Sequence, residues 1–205
     1  MDNCKKKQKK VEPDSSTWAE EGDAWIYTCI KRVSYFFVGF SVGKWTQETC
    51  REMMFDVARR IELLTGDKRI QFFSDGNDDY TYVLPDYFQR SQLDYAQLVK
   101  IRENGTLVGK EKRIVYGSPS SEDIETTNTE NFNGILRERI GRLVRKTKCI
   151  SKVKNRLVKA VHFFQFHWNF MHEIRRRKSP AILEGIADRL WSWHEFFYAS
   201  VNYSR

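Results

Sequence analysis

Two carboxylates and a run of cations are the residues of this chain with the most chemistry to offer. Glu130 stands at the start of a helical pattern in residues 125–152, ETTNTENFNGILRERIGRLVRKTKCISK, and arginine and lysine crowd the stretch behind it. Asp75 closes a short apolar run in QFFSDGNDDY. Mg²⁺ and Mn²⁺ take anionic oxygen as ligand. A carboxylate heading a cationic helix therefore suits an enzyme that holds metal ions beside a phosphate backbone. The pattern suggests chemistry on a nucleic-acid strand.

Each residue also has a plainer reading. An aspartate at the carboxyl end of a buried parallel strand sits where α/β sheets bind ligands. SDGNDDY is equally a turn, since Asp, Gly and Asn are turn formers, and in isolation the turn reading is the stronger. Glu130 near a helix N-terminus gains from the helix dipole and need be no more than a capping acid. Spacings of three and four put Glu130, Asn133 and Arg137 on one helix face. That row would set a metal ligand, a polar orienter and a phosphate-reaching cation side by side.

The cations Arg137, Arg139, Arg142, Arg145, Lys146, Lys148, Lys152, Lys154, Arg156 and Lys159 have almost no acids among them. A solvated face normally mixes signs, so a single-signed run fits a phosphate track better. The lysines of residues 5–10 are less telling, because basic tails often only stay solvated. His162, His167 and His172 are spaced by fives. On an α-helix that puts neighbours about 140° apart, so they share no face and form no zinc triad. The aromatics around Trp168 and Trp191 read as core rather than as a base-stacking platform.

Composition agrees with an anionic partner. The formal charge is +8 over 205 residues, which favours nucleic acid over a neutral ligand. With 40% hydrophobic residues the chain can bury one core domain with appendages. No run of ~18 apolar residues offers a membrane span. The cationic start lacks the apolar segment of a secretory signal. Cys4, Cys29, Cys50 and Cys149 form no CxxC pair, so they read as reduced cytoplasmic thiols rather than a zinc knuckle.

The elements that must position these residues follow from hydrophobic periodicity. Residues 1–22 are polar and predict an unstructured basic arm. Residues 24–30 and 34–42, aromatic and β-branched, predict a hairpin broken at Lys31 and Arg32, with Gly39 and Gly43 marking a bulge and the strand exit. Thr46 predicts the cap of an amphipathic helix whose apolar positions run to Leu64 and whose end is Gly66. Residues 70–73 predict a buried strand, and residues 80–88 a short helix or loop. Residues 95–101 and 112–116 flank Asn104-Gly105, a hairpin turn signal. Helices are predicted over 127–146 and from about 151 to 175, with a short helix and aromatic patch after Ser179-Pro180. Mixed strands and helices in this order predict an α/β layer fold.

Six segments in order carry a resemblance. They are GDAWIYTCI with VGKWTQET, QFFSDGNDDY, DYAQLVKIRENG with VGKEKRIVYG, the 125–152 segment, HFFQFHWNFMHE and SPAILEGIADRLWSW. Over residues 22 to 195 the chain resembles the small DDE insertion-sequence transposases of bacteria and archaea. The resemblance implies an RNase H-like mixed sheet flanked by helices with a C-terminal helical extension. It divides the chain into the arm at 1–22, a catalytic domain at 23–178 and a helical tail at 179–205. It implies DNA strand cleavage and transfer by two Mg²⁺ or Mn²⁺ ions held by Asp, Asp and Glu. Asp75 matches the second acid and Glu130 the third.

Asn133, Arg137, Arg142, Arg145, Lys146, Lys148 and Lys152 would then meet DNA. Insertion-sequence ends and target DNA, a second copy of the chain, and a cytoplasmic place at the nucleoid are further implications. The first acid of such proteins lies in an Asp-Glu-x-Trp type segment ahead of a lysine-rich loop. Residues 4–10 look like that loop, so the first strand is expected to lie ahead of Met1. Asp2 and Asp14 are the acids available, neither within an apolar run. A truncated, inactive copy that still binds DNA, and an RNase H-like nuclease unrelated to transposition, stand as alternatives.

Overall fold

The structure, a computed structural model, describes residues 2–4, 12, 18, 22–61, 69–143 and 153–198. Two three-stranded sheets carry the fold, β1-β2-β3 and β4-β5-β6. In the first, β1 (Asp2–Cys4), β2 (Gly22–Ile30) and β3 (Phe37–Gly43) pair antiparallel in turn. In the second, β5 (Leu93–Glu103) is central. It lies parallel to β4 (Ile70–Asp75) and antiparallel to β6 (Thr106–Tyr116). The protein is thus a mixed α/β fold with a mixed sheet flanked by helices, as the element order predicts.

Strand β3 is buried along its whole length because helices cover both faces of its sheet. On one face Ala24, Phe37, Phe40 and Val42 pack against α3 (Thr127–Arg139) and α4 (Lys154–Phe166) through Phe132, Leu136, Leu157, Val161 and Phe164. On the other, Tyr27 and Val38 meet α1 (Gln47–Arg60) at Cys50, Met53, Met54 and Val57. The same cluster continues through Val83 and Leu84 of α2 (Asp79–Tyr87) to Leu93 and Tyr95 of β5. It therefore packs the two sheets into one body. Gly39 permits the close approach of α1, since a Cβ there would lie 2.9 Å from the Val57 Cγ2 methyl. The register shift falls next to it, between Cys29 and Ile30.

Several expected boundaries move, each for a visible reason. The arm over 1–22 contains strand β1, whose Asp2 lies opposite Ala24. Thr46 caps α1 by accepting from the Thr49 amide, but the helix ends at Arg60, where Ile61 turns extended; Gly66 lies outside the described residues. The Asn104-Gly105 turn has positive φ at both residues, 49° and 82°, as a tight hairpin turn demands.

The helix expected over 127–146 stops at Arg139, and Gly141–Leu143 continue as one 3₁₀ turn. The helix expected over 151–175 begins at Lys154. It gives way at His167–Met171 to a π turn, closed by the His172 amide on the His167 carbonyl at 2.8 Å. Three side chains anchor this region to β3 and the loop before it. Gln165 Nε2 donates to the Phe37 carbonyl and Trp168 Nε1 to the Tyr35 carbonyl. The Asn169 side chain both accepts from the Phe37 amide, at 2.8 Å, and donates to its carbonyl, at 3.0 Å. The buried amide of Asn169 thus pairs the outer edge of β3 as a neighbouring strand would.

Beyond it, α5 (Pro180–Leu183) starts on the Ser179 cap, and α6 (Trp193–Tyr198) lays Trp193 and Phe196 against Phe163. Among the described residues no helix is long and apolar enough to cross a membrane.

Candidate metal and nucleic-acid site

Asp75 is the last residue of β4 and pairs in register with Leu98 of β5. Residues opposite each other in a parallel pair share a face, as do residues two apart on a strand. Asp75, Leu98 and Lys100 therefore stand on one face of the second sheet. Glu130 reaches that face from above. Its carboxylate takes a hydrogen bond from the Lys100 ammonium at 2.8 Å and another from the Thr126 hydroxyl at 2.8 Å. The Lys100 bond, with Lys110 close by, holds the Glu130 carboxyl below the usual carboxylate range, against a smaller opposing effect of burial. Lys110 lies opposite Lys100 in the β5–β6 register and Lys112 opposite Leu98, so three lysines share the face with the two acids.

The turn reading of Asp75 and the site reading are both visible. Asp75 is exposed, and its Oδ1 accepts from the Asn77 amide at 3.3 Å, the bond of an Asx turn. The turn is pinned from below, where Gln97 Nε2 donates to the Asn77 carbonyl at 3.1 Å. Glu130 is not a capping acid in the backbone sense, because its carboxylate takes the Thr126 hydroxyl and a lysine rather than a backbone amide.

The row of Glu130, Asn133 and Arg137 does not act as one unit. Helix α3 lies across both sheets, so its successive turns meet different strands. Glu130 faces Lys100 of β5, whereas the Asn133 amide oxygen accepts from the Thr28 hydroxyl of β2 at 2.9 Å. Asn128 of the same helix accepts from the Tyr35 hydroxyl at 2.7 Å. Arg137 lies exposed near the helix end. Arg142 falls on the 3₁₀ turn rather than on α3. Arg145, Lys146, Lys148 and Lys152 lie outside the described residues, as does Asp14.

Sequence reasoning missed Lys100, the residue that ties the two carboxylate-bearing elements together. Its signal was its place on the strand next to Asp75, two residues beyond Leu98, but that needs the β4–β5 register to be seen. The reasoning also misjudged the histidines. His162 stands apart, with its ring 4.6 Å from Phe40. His167 and His172 converge, with ring centroids 6.1 Å apart, because the π turn brings residues five apart onto one side.

Two carboxylate donors on one sheet face fit a hard divalent cation in ligand chemistry. The Lys100 ammonium already touches Glu130 where such a cation would. Among the described residues no group of three or more His, Cys, Asp or Glu side chains could hold a metal. Comparison with known proteins supplies no relative to set beside this geometry: no family model, no curated protein and no solved structure matches the chain.

Proposed function

We propose that this chain is the catalytic domain of a DDE-type DNA transposase with an RNase H-like fold. The observation that carries the reading is that Glu130 is held by Lys100 on the sheet face that also carries Asp75, Lys110 and Lys112. An acidic pair ringed by lysines is what a phosphodiester and a divalent cation together require. The parallel β4–β5 pair, with the acid at its carboxyl end, is where sheets of this class place a site.

In this reading Asp75 and Glu130 hold Mg²⁺ or Mn²⁺. The bound metal would polarise the phosphodiester and lower the pKa of an attacking water or hydroxyl. Lys100 keeps Glu130 ionised until then, and Lys110 and Lys112 hold the phosphate. Insertion-sequence ends, target DNA and a second copy of the chain are the proposed partners, and the nucleoid is the proposed place of action.

The test is cleavage of duplex DNA with and without Mg²⁺, by the wild type and by Asp75→Asn and Glu130→Gln. Metal-dependent nicking lost in both variants, with DNA binding retained, is the expected result. Wild-type protein that binds DNA but never nicks it would sink the catalytic reading. It would favour a second reading, a DNA-binding protein without cleavage. The Lys100–Glu130 bond gives that reading its support, since it leaves one carboxylate already neutralised.

A further inference from the structure

Between the C-terminal end of α3 and the side of α4 there is a cavity of about 580 Å³. That volume lies in the range of sites for small organic ligands, ~300–1,000 Å³. Its lining is unusual in its share of flat rings. Trp193 stacks on Phe163 with planes 17° apart and on His167 with planes 20° apart, both at 5.5 Å. Trp168 stacks on His172 at 4.6 Å, 24° from parallel. All five rings line the cavity, together with Arg139, the last residue of α3, and Arg142 on the 3₁₀ turn that follows.

The polar groups here are not consumed by the fold. Among the described residues Arg139 and Arg142 have no carboxylate within ion-pair distance, although eight other cations there are paired in this way. Among the described residues His167 and His172 make no side-chain hydrogen bond, only ring contacts. Burial, with Arg139 adjacent to both, holds each imidazole below its usual range and so neutral near pH 7. A neutral imidazole presents one N–H donor and one lone-pair acceptor, the pattern of a nucleobase edge. The π turn is the device that makes the pair, and such turns recur at functional sites.

We propose that this cavity is a nucleotide site. It takes one nucleobase among Trp193, Trp168, His167 and His172 and the attached phosphate at Arg139 and Arg142. The base is that of a free nucleotide or one unstacked from a DNA strand, since the chemistry is shared. Aromatic rings accept any base face, and guanidinium pairs read phosphate bidentately. The site needs no metal and stands apart from Asp75 and Glu130, so it does not depend on strand transfer.

The test is run in EDTA, which keeps it separate from any metal chemistry. Equilibrium dialysis measures labelled dAMP and deoxyadenosine, and fluorescence anisotropy measures a short single-stranded oligonucleotide. Saturable binding of dAMP at one site per chain is expected, weakened by about tenfold or more in Trp193→Ala, the scale of one lost stacking partner. Arg142→Gln should weaken dAMP and leave deoxyadenosine unchanged, and Asp75→Asn should change neither.

Trp193 is 45% exposed on the last helix, so its loss should leave the fold intact, with the melting temperature as control. If dAMP fails to bind but the oligonucleotide loses about tenfold in Trp193→Ala, the base enters only as part of a strand and the site stands. If dAMP binds and the oligonucleotide is insensitive to Trp193→Ala, the ligand is a free nucleotide. If neither Trp193→Ala nor Arg142→Gln shifts either ligand, the proposal is overturned.

Discussion

Lys100 donates to Glu130 at 2.8 Å, and through that bond the first turn of α3 is fastened to the central strand of the second sheet. The same strand lies beside Asp75. One lysine therefore fixes Glu130 over the strand that pairs with β4, whose last residue is Asp75.

Acid should loosen this contact. The Glu130 carboxyl titrates lower in the folded chain than in the unfolded one, chiefly because Lys100 donates to it. Its contribution to stability is therefore fully present above the unfolded carboxyl pKa of about 4.3 and is lost as the pH falls through the lower, folded value. The Glu130 side chain is 46% exposed, so the contribution is small, about 0.5 kcal/mol. Thermal melts of wild type and Glu130→Gln should differ slightly at pH 7 and converge in acid. Equal separation of the two curves at pH 7 and in strong acid would contradict this assignment.

Asn169 should prove structural. Replacing it by Ala leaves the Phe37 amide without its partner on a buried edge, while Gln165 still serves the Phe37 carbonyl. One unsatisfied buried donor costs about 1–3 kcal/mol. Asn169→Ala should therefore melt several degrees below wild type, and Asn169→Asp, which turns a carboxylate oxygen towards the Phe37 carbonyl in place of the donor, should not recover the loss.

A glycine controls the ion pair between the exposed Arg69 and the buried Asp94. Asp94, buried, accepts from Arg69 Nε at 2.9 Å and from the Ser118 amide at 2.8 Å. Gly117 sits against that pair with φ 69°. A Cβ there would overlap the Asp94 carboxylate and crowd the Arg69 guanidinium, in a backbone region that disfavours side chains. Gly117→Ala should cost about 2–4 kcal/mol, from broken pairing plus strain, measured by urea unfolding. A loss under about 0.5 kcal/mol would mean that the Arg69–Asp94 pair shifts without penalty.

Binding to duplex DNA should fall with salt. Each phosphate contact contributes about −0.9 to the slope of log K against log salt. Arg156 and Lys159 are exposed on α4. Their joint replacement by Ala should flatten the slope by up to about 2 without altering the melting temperature. An unchanged slope would place the DNA elsewhere on the molecule.

Much of the fold could be read from periodicity alone. Residues 37–43 stay apolar in the main because both faces of β3 are covered, and Asn104-Gly105 announces its hairpin. Asp75 at a strand end and Glu130 in a first helical turn were also legible, since strand exits and helix starts have local signals. What joins them was not. Lys100 looks like any surface lysine until the β4–β5 register sets it beside Asp75. Asn133 shares a helical face with Glu130 on paper, yet α3 crosses two sheets and sends the two side chains to different strands. The cavity escaped notice for a similar reason, because its histidines converge only if the helix abandons its regular period.

That departure has a consequence for how the chain tolerates change. Between His167 and His172 the number of residues matters as much as their kind. Removing one residue from this stretch would let ordinary α-helical bonding resume, and by itself that would favour the backbone. Everything after it would then rotate by about 100°. His172 would leave the cavity and Trp191 would lose its amide bond to the Phe170 carbonyl. The surplus residue acts as a spacer, and a deletion that looks harmless in a helix would here dismantle a wall.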